Sequence, residues 1–503
     1  MKKVLFVVPH FDDELLVGGS LLYDFAHSKE WETYVLYYTN GDYYHYEAAV
    51  RQKEAISSCE ILGVDKNHII YMGYGDRWKG EKHIYNSDDE IMVSFSGHDQ
   101  TYSLNGIDEY CFYKHGKHND YRISNIYKDL KDILTDLFPE VIVCVDYDAH
   151  PDHKALSLMM DGVLPKIITQ NNYTPLYLKK YAYECVFRGL DDYYIYPHRP
   201  TICLTQDLVS SPIYKWNDRV RFSVNDRCNT PLIKDNVLFQ AACKHKTQLF
   251  KYVSRKAFNS DIVYWRKHTE NLAYFAEISG TSGIKEYIND GITIDSPDIT
   301  NPVVALDAST WIPDKSDSQK LISLQWKDPV SVKQITIFEN PTENNNIYKI
   351  KILFNNRKAY YFSDIHHDGS SSCFNCDEKE ILRIDITIEE FEGERAGLSE
   401  IEVFDMVTPL SKYNLPVGLY KDKESPKISV WIKMASKIEK LIFLFDQLLF
   451  EKLIPSPYQL RKRFPEMNKD KNYLKYYCKN IIKRVENYKK RREKKRNEVS
   501  IYL

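Results

Sequence analysis

Two uninterrupted runs of β-branched and apolar residues, Val4–Val8 and Val141–Val145, constrain the fold of this chain more than any other feature. Neither run alternates with polar residues, which is typical of strands buried on both faces of a parallel sheet. Further strand and helix patterns lie between them: strands at Thr33–Tyr38 and His68–Met72, and helices at Leu15–Phe25, Glu47–Leu62 and Lys128–Phe138. This alternation predicts an α/β domain over residues 1–290, with a doubly wound, mostly parallel sheet and flanking helices.

Residues 160–290 have a less regular pattern than the first part of the chain. We interpret Asn236–Tyr252 and Tyr264–Ile278 as helices, because apolar residues recur there at helical spacing. Both helices are expected to cover the sheet of the first domain.

From residue 291 the chain changes to short alternating runs separated by turn-rich segments. These runs are Leu321–Trp326, Val332–Phe338, Tyr348–Phe354, Ala359–Phe362, Ile381–Ile388 and Glu400–Phe404. Short alternating strands at this spacing predict an antiparallel β-sandwich of the jelly-roll type over residues 291–406.

The last region, residues 407–503, is predicted to be helical and becomes strongly basic. Residues 461–496 hold 16 Lys or Arg against 4 Asp or Glu, a charge of +12, whereas the whole chain carries only −3. The remainder is therefore acidic, at −15, which argues against nucleic-acid binding driven by bulk charge.

An apolar helical pattern precedes this basic segment, at Trp431, Ala435, Ile438, Ile442, Phe445 and Leu449. One hypothesis is that residues 426–503 contact the anionic inner face of a membrane peripherally. The equal alternative is a helix packed on the protein with a solvated charged extension. RNA binding is the weakest of the three hypotheses.

Two short polar clusters follow the predicted strands Val4–Val8 and Val141–Val145. They read Pro9-His10-Phe11-Asp12-Asp13-Glu14 and His150-Pro151-Asp152-His153. Because parallel strands end at the same edge of a sheet, we expect the two clusters to meet. Each cluster alone is also explained without function, the first as a helix N-terminal cap and the second as a solvated or core histidine pair.

Two histidines and one carboxylate suit a divalent metal that keeps an open position. The spacing points to His10, Asp13 and His153 as ligands, which leaves Asp12 as the general base and His150 as an imidazolium that stabilises an oxyanion or protonates a leaving amine. The same ligand types also suit non-haem iron oxygenases. We favour hydrolysis, because water activation needs the additional acid that adjoins the ligands.

The cysteines and the hydropathy pattern predict the compartment. Of ten cysteines only Cys373 and Cys376 lie close together, which is a weak zinc signal that we interpret as incidental. Scattered thiols indicate a reducing compartment, and no apolar stretch is long enough to span a bilayer. We expect a cytoplasmic protein, with the inner membrane face as an alternative location.

The two clusters resemble the motifs of the N-acetylglucosaminyl-phosphatidylinositol de-N-acetylase family, also called the PIG-L or LmbE-like family. Weaker similarities, extending the resemblance to about residue 280, are Thr39-Asn40-Gly41-Asp42, Arg51-x-x-Glu54, Leu62-Gly63-Val64, Gly73-Tyr74-Gly75-Asp76 and His245-Lys246-Thr247-Gln248. The resemblance implies a Rossmann-like fold and zinc-dependent removal of an acetyl group from a 2-acetamido sugar. Fe²⁺ suits the same ligand set.

The resemblance also implies roles for individual residues. His10, Asp13 and His153 would bind zinc, Asp12 would be the base and His150 the oxyanion partner. Asp152 would orient His150, and Arg51 and Asp76 would hold sugar hydroxyls. An Arg-x-x-Glu pair such as Arg51 and Glu54 is also a common surface ion pair.

The segment Gly80–Asn119 departs from the family pattern, because it is long and rich in His, Tyr and Asp. We predict that it forms a lid or a substrate-selecting loop.

The second module resembles a discoidin-type, galactose-binding-like jelly roll in the sequence pattern of its predicted strands. Trp311 in this module is either a stacking platform for a sugar or a core residue.

The sequence as a whole predicts a zinc-dependent N-deacetylase acting on a GlcNAc-type sugar in a glycan or a glycolipid. Two alternatives stay open. One is an amidase acting on an acyl-amino sugar conjugate, and the other is a non-catalytic glycan-binding protein on a hydrolase scaffold.

Overall fold

The computed structural model describes most of the chain. The described residues are 1–43, 48–80, 82–148, 150–182, 187–188, 200–203, 216–248, 258–293, 309–340, 344–421 and 430–447, with 475, 476, 479 and 483. The predicted basic segment at 461–496 therefore lies almost wholly outside the described residues.

The first unit is a layered α/β structure. Its strands are β1 (Lys2–Val8), β2 (Trp31–Thr39), β3 (Ile69–Tyr74), β4 (Val141–Val145), β5 (Leu176–Lys180), β6 (Phe187–Arg188), β7 (Ile202–Cys203), β8 (Val220–Ser223) and β9 (Asp261–Lys267). Its helices are α1 (Gly19–Ala26), α2 (Ala48–Leu62), α3 (Tyr110–His115), α4 (Ile123–Leu137), α5 (Pro151–Asn171) and α6 (Val237–Ala242). A π-helical turn, Glu14–Gly18, leads into α1. Short 3₁₀ turns lie at Lys66–His68, Ile84–Asn86, Trp216–Asp218, Asp226–Cys228 and Ile233–Asp235.

Seven of these strands form one sheet in the order β3–β2–β1–β4–β5–β9–β8, while β6 pairs with β7 separately. Strands β1 to β5 are parallel, and β9 is antiparallel to both of its neighbours. The chain order reverses between β1 and β4, which places the ligand-binding crevice of such a sheet beyond the carboxyl ends of these two strands. The predicted fold class is confirmed.

The core of this sheet follows directly from the sequence. All five residues of β4 are buried, and so are the last five of β1. A strand flanked by neighbours and covered by helices on both faces has no solvent-facing side, so β4 and the last five residues of β1 lack polar side chains.

The helix predicted over Tyr264–Ile278 is wrong. Its first part belongs to β9, a 3₁₀ turn covers Leu272–Phe275, and Glu277–Gly280 is again a strand. Tyr264 and Trp265 are buried against the neighbouring strands, and a short apolar run buried on both faces cannot be told from a buried helix by periodicity. The helix predicted at Asn236–Tyr252 is the short α6, and residues 249–252 lie outside the described residues.

The second unit is an antiparallel β-sandwich, as predicted. Its strands are β10 (Glu277–Gly280), β11 (Leu321–Glu339), β12 (Ile347–Phe354), β13 (Lys358–Phe362), β14 (Ser372–Phe391) and β15 (Leu398–Phe404), with a 3₁₀ turn at Lys285–Asn289. The sheet order is β10–β11–β14–β12–β13, and β15 also pairs with β11. The pairing of β11 with β14 shifts register between Gln325 and Gln334. Such bulges bend long strands, which lets β11 and β14 serve both layers of the sandwich.

The second unit begins before the predicted boundary at residue 290. Strand β10 pairs with Ile322–Gln325 of β11, and Ala273 and Ile288 are part of the sandwich core. After β15 the chain returns to the first sheet, where Ser223 N donates to Gly418 O at 2.9 Å and Tyr420 N donates to Arg221 O at 2.9 Å. The start of the region predicted as helical is therefore an edge segment, with one 3₁₀ turn at Leu410–Tyr413.

The last described helix is α7 (Val430–Gln447). Among the described residues, no helix has the length and apolar character needed to cross a membrane.

The segment Gly80–Asn119 packs against the first sheet, with residue 81 outside the described residues. Its buried members are His83, Ile84, Ser87, Ser94, Thr101, Glu109, Tyr110, Cys111 and Asn119. Bridges join Trp78 to Ser94 and Gln100 to Asp120. The segment is a packed wall of the domain.

Candidate metal centre

The first polar cluster lies in a tight turn at the end of β1. The backbone N–H groups of Asp12 and Asp13 both donate to His10 O, at 2.9 Å and 3.2 Å. The turn brings the Asp13 carboxylate back onto His10, where Oδ2 accepts from His10 N at 3.1 Å and lies 2.9 Å from ring Nδ1. The chain therefore presents His10 and Asp13 to the same side of the crevice.

The second cluster is the N-terminus of α5. His150 is the N-cap, and its Nδ1 accepts from Asp152 N at 3.2 Å. Pro151 occupies the first helical position, where its missing N–H costs nothing. His153 then lies on the first turn of the helix, with Nε2 3.2 Å from Asp13 Oδ2.

The structure brings the predicted metal residues together. The ring centroids of His10, His150 and His153 lie 4.7 to 5.4 Å apart. Two sets of side chains have ligand atoms within 4.8 Å of one another: His10 with His150 and His153, and His10 with Asp76 and Asp152. Asp13 is in neither set, but its Oδ2 contacts both His10 and His153.

The charges of the cluster fit a cation. Burial opposes protonation of His153, but the carboxylates of Asp148 and Asp13 outweigh it and raise its pKa to about 10. Burial is outweighed in the same way at His10, whose pKa is raised by Asp76, Asp13 and Asp152. Buried carboxylates thus demand positive charge at this position, and a divalent metal held by imidazole and carboxylate ligands meets that demand.

Asp12 lies beside the cluster without being part of it. Its side chain is 17% exposed, and Oδ1 is 3.9 Å from Arg51 Nη2. Burial, followed by the negative charge of Asp13, raises the pKa of Asp12 to about 6. A carboxylate with a raised pKa, next to a metal-binding cluster, has the properties of a general base.

Two expectations for His150 need correction. Burial, followed by the charges of His10 and His153, lowers the pKa of His150 to about 2, so the ring is neutral rather than an imidazolium. Its Nδ1 accepts from a backbone N–H, which leaves the proton of the neutral ring on Nε2. For the same reason Nδ1 has no proton to give to the Asp152 carboxylate, which lies 3.7 Å away. The Asp152 backbone, and not its carboxylate, orients His150.

The Asp152 carboxylate makes its contacts elsewhere. Oδ2 lies 3.2 Å from His10 Nε2, and Oδ1 lies 2.9 Å from His83 Nε2. Both histidines lower the pKa of Asp152 against the effect of its burial. Asp152 therefore bridges a predicted metal ligand and a histidine that sequence reasoning did not single out.

Arg51 and Asp76, the predicted sugar-binding residues, form a buried pair beside the cluster, where Asp76 Oδ1 lies 3.8 Å from His10 Nε2. Arg51 Nη1 donates to Asp76 Oδ2 at 3.1 Å and to Gly41 O at 2.9 Å. Gly41 has a φ of 58°, and a Cβ there would lie 3.0 Å from Arg51 Nη1, so only glycine permits this approach. Glu54 instead accepts from Thr247 N and Oγ1.

Three further residues support the site, and each follows a strand or lies in the segment Gly80–Asn119. Asp148 accepts from His150 N at 3.0 Å and contacts His153 Nδ1 at 2.9 Å. Asp42 accepts from Asp76 N at 2.7 Å and from the hydroxyl groups of Tyr102 and Ser96. Asp42 and Asp148 could have been predicted as site residues, because they lie just after β2 and β4. For His83 the signal was only the histidine-rich composition of Gly80–Asn119.

The late element His245–Gln248 also reaches the first cluster. His245 Nε2 lies 2.7 Å from Glu14 Oε1, which accepts from Ser58 Oγ at 2.7 Å. Burial opposes the charge of His245, but Glu14 raises its pKa. These contacts fix the turn that carries Asp12 and Asp13.

Comparison with known families decides the relationship of the first unit. Residues 5–163 match the family model described as GlcNAc-PI de-N-acetylase, PIG-L. These residues form a PIG-L family domain. The PIG-L family is metal-dependent and is described as a de-N-acetylase, and the match includes both polar clusters and strands β1 to β4, with β1 from Leu5 onward. Residues 281–404 match a second model, described as a domain of unknown function (DUF7402).

A search of curated proteins finds no match. Solved structures similar to part of this chain include a family 32 carbohydrate-binding module of Clostridium perfringens NanJ in complex with galactose. It is 19% identical and has a TM-score of 0.19, with 26% of this chain and 94% of that chain covered. A fucose-binding module of Streptococcus pneumoniae, SpX-3, is 15% identical with a TM-score of 0.21, covering 27% of this chain and 98% of that chain. The sandwich fold of the second unit rests on its own strand pairing.

Proposed function

We propose that the first unit is a metal-dependent hydrolase that removes the N-acetyl group from a 2-acetamido sugar of the GlcNAc type, in a glycan or a glycolipid. The observation that carries this proposal is the position of Asp12. Its carboxylate adjoins a buried His and Asp cluster at the switch point of a PIG-L family domain, with a pKa raised to about 6. This arrangement supplies a base where a hydrolytic metal site needs one.

We propose His10, Asp13 and His153 as the metal ligands, since the Asp13 Oδ2 contacts of 2.9 Å and 3.2 Å join the other two. Zn²⁺ suits this donor set, and Fe²⁺ suits it as well. When bound, either ion supplies Lewis acidity. The chain's own contribution is to hold the ligands: Asp148 contacts His153 Nδ1, which leaves Nε2 directed at the cluster.

In the proposed reaction, Asp12 acts on the attacking water and His150 acts on the acetyl carbonyl oxygen. Asp12 accepts a proton from water as the water oxygen bonds to the acetyl carbon. The neutral His150 donates through Nε2–H to the carbonyl oxygen as negative charge develops there. The C–N bond then breaks and the proton held by Asp12 passes to the leaving nitrogen, which yields acetate and the free amino sugar.

Arg51, Asp76 and Asp152 have supporting roles in this proposal. Arg51 lies between Asp12 and Asp76. Its Nη2 is 3.9 Å from Asp12 Oδ1 and its Nη1 is 3.1 Å from Asp76 Oδ2, so one guanidinium contacts both the proposed base and Asp76. Asp76 is buried, and burial raises its pKa against the effect of His10 and Arg51. We propose that Arg51 and Asp76 bind hydroxyl groups of the sugar and that Asp152 orients the ring of His10.

Acetate release from a panel of free, nucleotide-linked and lipid-linked acetamido sugars tests the proposal, with Zn²⁺ or Fe²⁺ added and metal-stripped protein as the blank. We expect release from at least one GlcNAc-type member. An amidase would cleave only an acyl-amino sugar conjugate added to the panel. Binding of sugars without turnover under every condition would instead support a glycan-binding protein on a hydrolase scaffold.

We further propose that α7 and the basic segment contact an anionic membrane surface. Helix α7 is held on the first unit by Glu439, whose carboxylate accepts from Ile233 N at 3.0 Å and from Lys234 N at 3.2 Å. The opposite side of the helix exposes large apolar side chains: Trp431, Met434, Ile438, Leu441, Ile442 and Phe445. An exposed apolar face beside Lys433 and Lys437, followed in sequence by a +12 segment, has the character of an interfacial helix.

Vesicle flotation of the full chain tests this contact. We expect binding to phosphatidylcholine vesicles that contain phosphatidylserine and at least roughly tenfold less to phosphatidylcholine alone. The triple variant Trp431→Ser, Ile438→Ser, Phe445→Ser should lose binding, whereas Met406→Ser, which changes an equally exposed side chain elsewhere, should not. Equal binding to both vesicle types, or binding that survives the triple variant, would exclude the contact.

A further inference from the structure

His83 belongs to the segment that departs from the family pattern, yet it is 4% exposed and reaches the centre of the site. It is the N-cap of the 3₁₀ turn Ile84–Asn86, and its Nδ1 accepts from Tyr85 N at 3.1 Å. A ring nitrogen that accepts a backbone hydrogen bond carries no proton. The local fold therefore places the proton of the neutral ring on Nε2.

The Nε2–H of His83 points at Asp152. The distance from Nε2 to Asp152 Oδ1 is 2.9 Å, and both side chains are almost fully buried, at 4% and 2% exposure. A charge-assisted hydrogen bond of this kind, removed from water, is stronger and more directional than one on the surface. Trp78 packs edge-to-face on the His83 ring at 6.1 Å and limits its rotation.

Asp152 is thereby held at both oxygens. Oδ1 accepts from His83, and Oδ2 lies 3.2 Å from His10 Nε2. A carboxylate held at one oxygen can still turn about its Cβ–Cγ bond, whereas two partners on different elements fix its plane. Nδ1 of His10 faces Asp13, the neighbouring proposed ligand, so the contact of Nε2 with Asp152 is the one that can orient the ring while Nδ1 binds a metal, and this contact depends on that plane.

We propose that His83 is a positioning residue for the deacetylase site, acting through Asp152 on His10. This proposal rests on the proposed function and makes the segment Gly80–Asn119 a structural part of the site. A partner that orients a metal-binding histidine or its carboxylate typically changes metal affinity or activity by about 10–100-fold when it is lost.

A matched pair of substitutions separates this role from a role in folding. The side chain of H83N can still accept from Tyr85 N and cap the turn, but it is too short to reach Asp152. The side chain of H83Q places an amide N–H near the position of Nε2 and can still donate to Asp152. Both variants remove the imidazole, so a general need for the ring would affect them equally.

We expect H83N to lower kcat by about 10–100-fold with KM and Tm close to those of the wild type, and H83Q to recover activity to within about threefold. Zinc titration of the stripped proteins gives a second readout, in which H83N should bind about 10–100-fold more weakly than H83Q and the wild type. Equal zinc affinity in all three proteins, or an equal loss in both variants, would overturn the proposal. Failure of the proposed function is distinguishable, because it would appear as wild-type protein that releases no acetate while zinc titration still orders the three proteins.

Discussion

Buried polar side chains make different sets of contacts at the carboxyl edge of the first sheet and in the interior of the sandwich. At the edge, His10, Asp13, Asp152 and His153 are all buried and form one chain of contacts, from Asp152 to His10, from His10 to Asp13 and from Asp13 to His153. In the sandwich, buried acids such as Asp385 pair with a neighbour on the same or the adjacent strand, here Arg383 and Ser323. The groups of side chains arranged to hold a metal within the described residues all lie in the first unit.

Topology explains this difference. Parallel strands all end at one edge, so β1 and β4, which are far apart in sequence, bring their following loops into one crevice. Antiparallel strands end alternately at opposite edges, which separates the loops of neighbouring strands. The first unit is therefore expected to carry the chemistry, and the second to depend on its apolar core.

The largest effect is expected at Asp12. D12N keeps the size of the side chain but removes the base, so kcat should fall by about 10²–10⁴-fold. Metal content and Tm should stay at wild-type values, because Asp12 is outside the contacts that join His10, Asp13 and His153. Acetate release and metal analysis on one preparation check both statements, and turnover near the wild-type rate would rule out Asp12 as the base.

A core substitution in the sandwich should show the opposite profile. Ile386 is fully buried and lies opposite Ile322 and Ile352 on the neighbouring strands. Ile386→Ala should lower the free energy of unfolding by about 2–5 kcal/mol through lost burial and a cavity. Leu382→Ala on the same strand, where the side chain is 43% exposed, is the matched control and should have little effect. If folded I386A protein no longer deacetylated free sugars, the expectation that the sandwich core acts on stability alone would be wrong.

The sequence predicted the position of the site better than its internal contacts. The meeting of His10, Asp13 and His153 could be predicted because their clusters follow two buried strands with continuous apolar runs. The hydrogen bond from Asp152 N to His150 Nδ1 depends on the N-cap geometry of α5, which the identity of the two residues does not reveal. The role of His83 could not be predicted, because a contact between the segment Gly80–Asn119 and α5 has no signature in local periodicity.

The fold shows the same limit. Strand β4 was predicted with its observed bounds, since burial on both faces leaves a continuous apolar pattern. The pattern over Tyr264–Ile278 also came from burial, but it spans a strand, a turn and a second strand that belongs to the sandwich. Tertiary context, which decides between these readings, is absent from a single window of sequence.

A smaller effect is expected at Asp148, which supports the metal cluster without lying in it. Its two carboxylate oxygens accept from His150 N, His153 Nδ1 and Ala182 N. D148N must direct its NH₂ group either at His150 N or at His153 Nδ1 and Ala182 N, so one side of the N-terminus of α5 loses its acceptor. Where the amide oxygen stays on His153, it is neutral and holds the ring more weakly than the carboxylate. Metal affinity should fall by about 10–100-fold in a zinc titration. D385N, which alters a comparably buried acid in the sandwich, should leave zinc affinity unchanged, and an equal loss in both variants would point to general instability.

The smallest effect is expected at Trp311, and it tests whether the sandwich presents this ring to a sugar. The ring is fully buried, and Nε1–H donates to Ser282 O at 2.8 Å, which favours the core interpretation over the stacking platform. W311F keeps an aromatic ring but loses this donor and leaves a cavity, so the free energy of unfolding should fall by at least about 1 kcal/mol, the usual net value of one hydrogen bond. Retention on immobilised sugars should not change, because a ring without solvent exposure has no face to offer. Weaker retention with unchanged stability would place Trp311 at a binding surface and give the sandwich a recognition role that its apolar core does not predict.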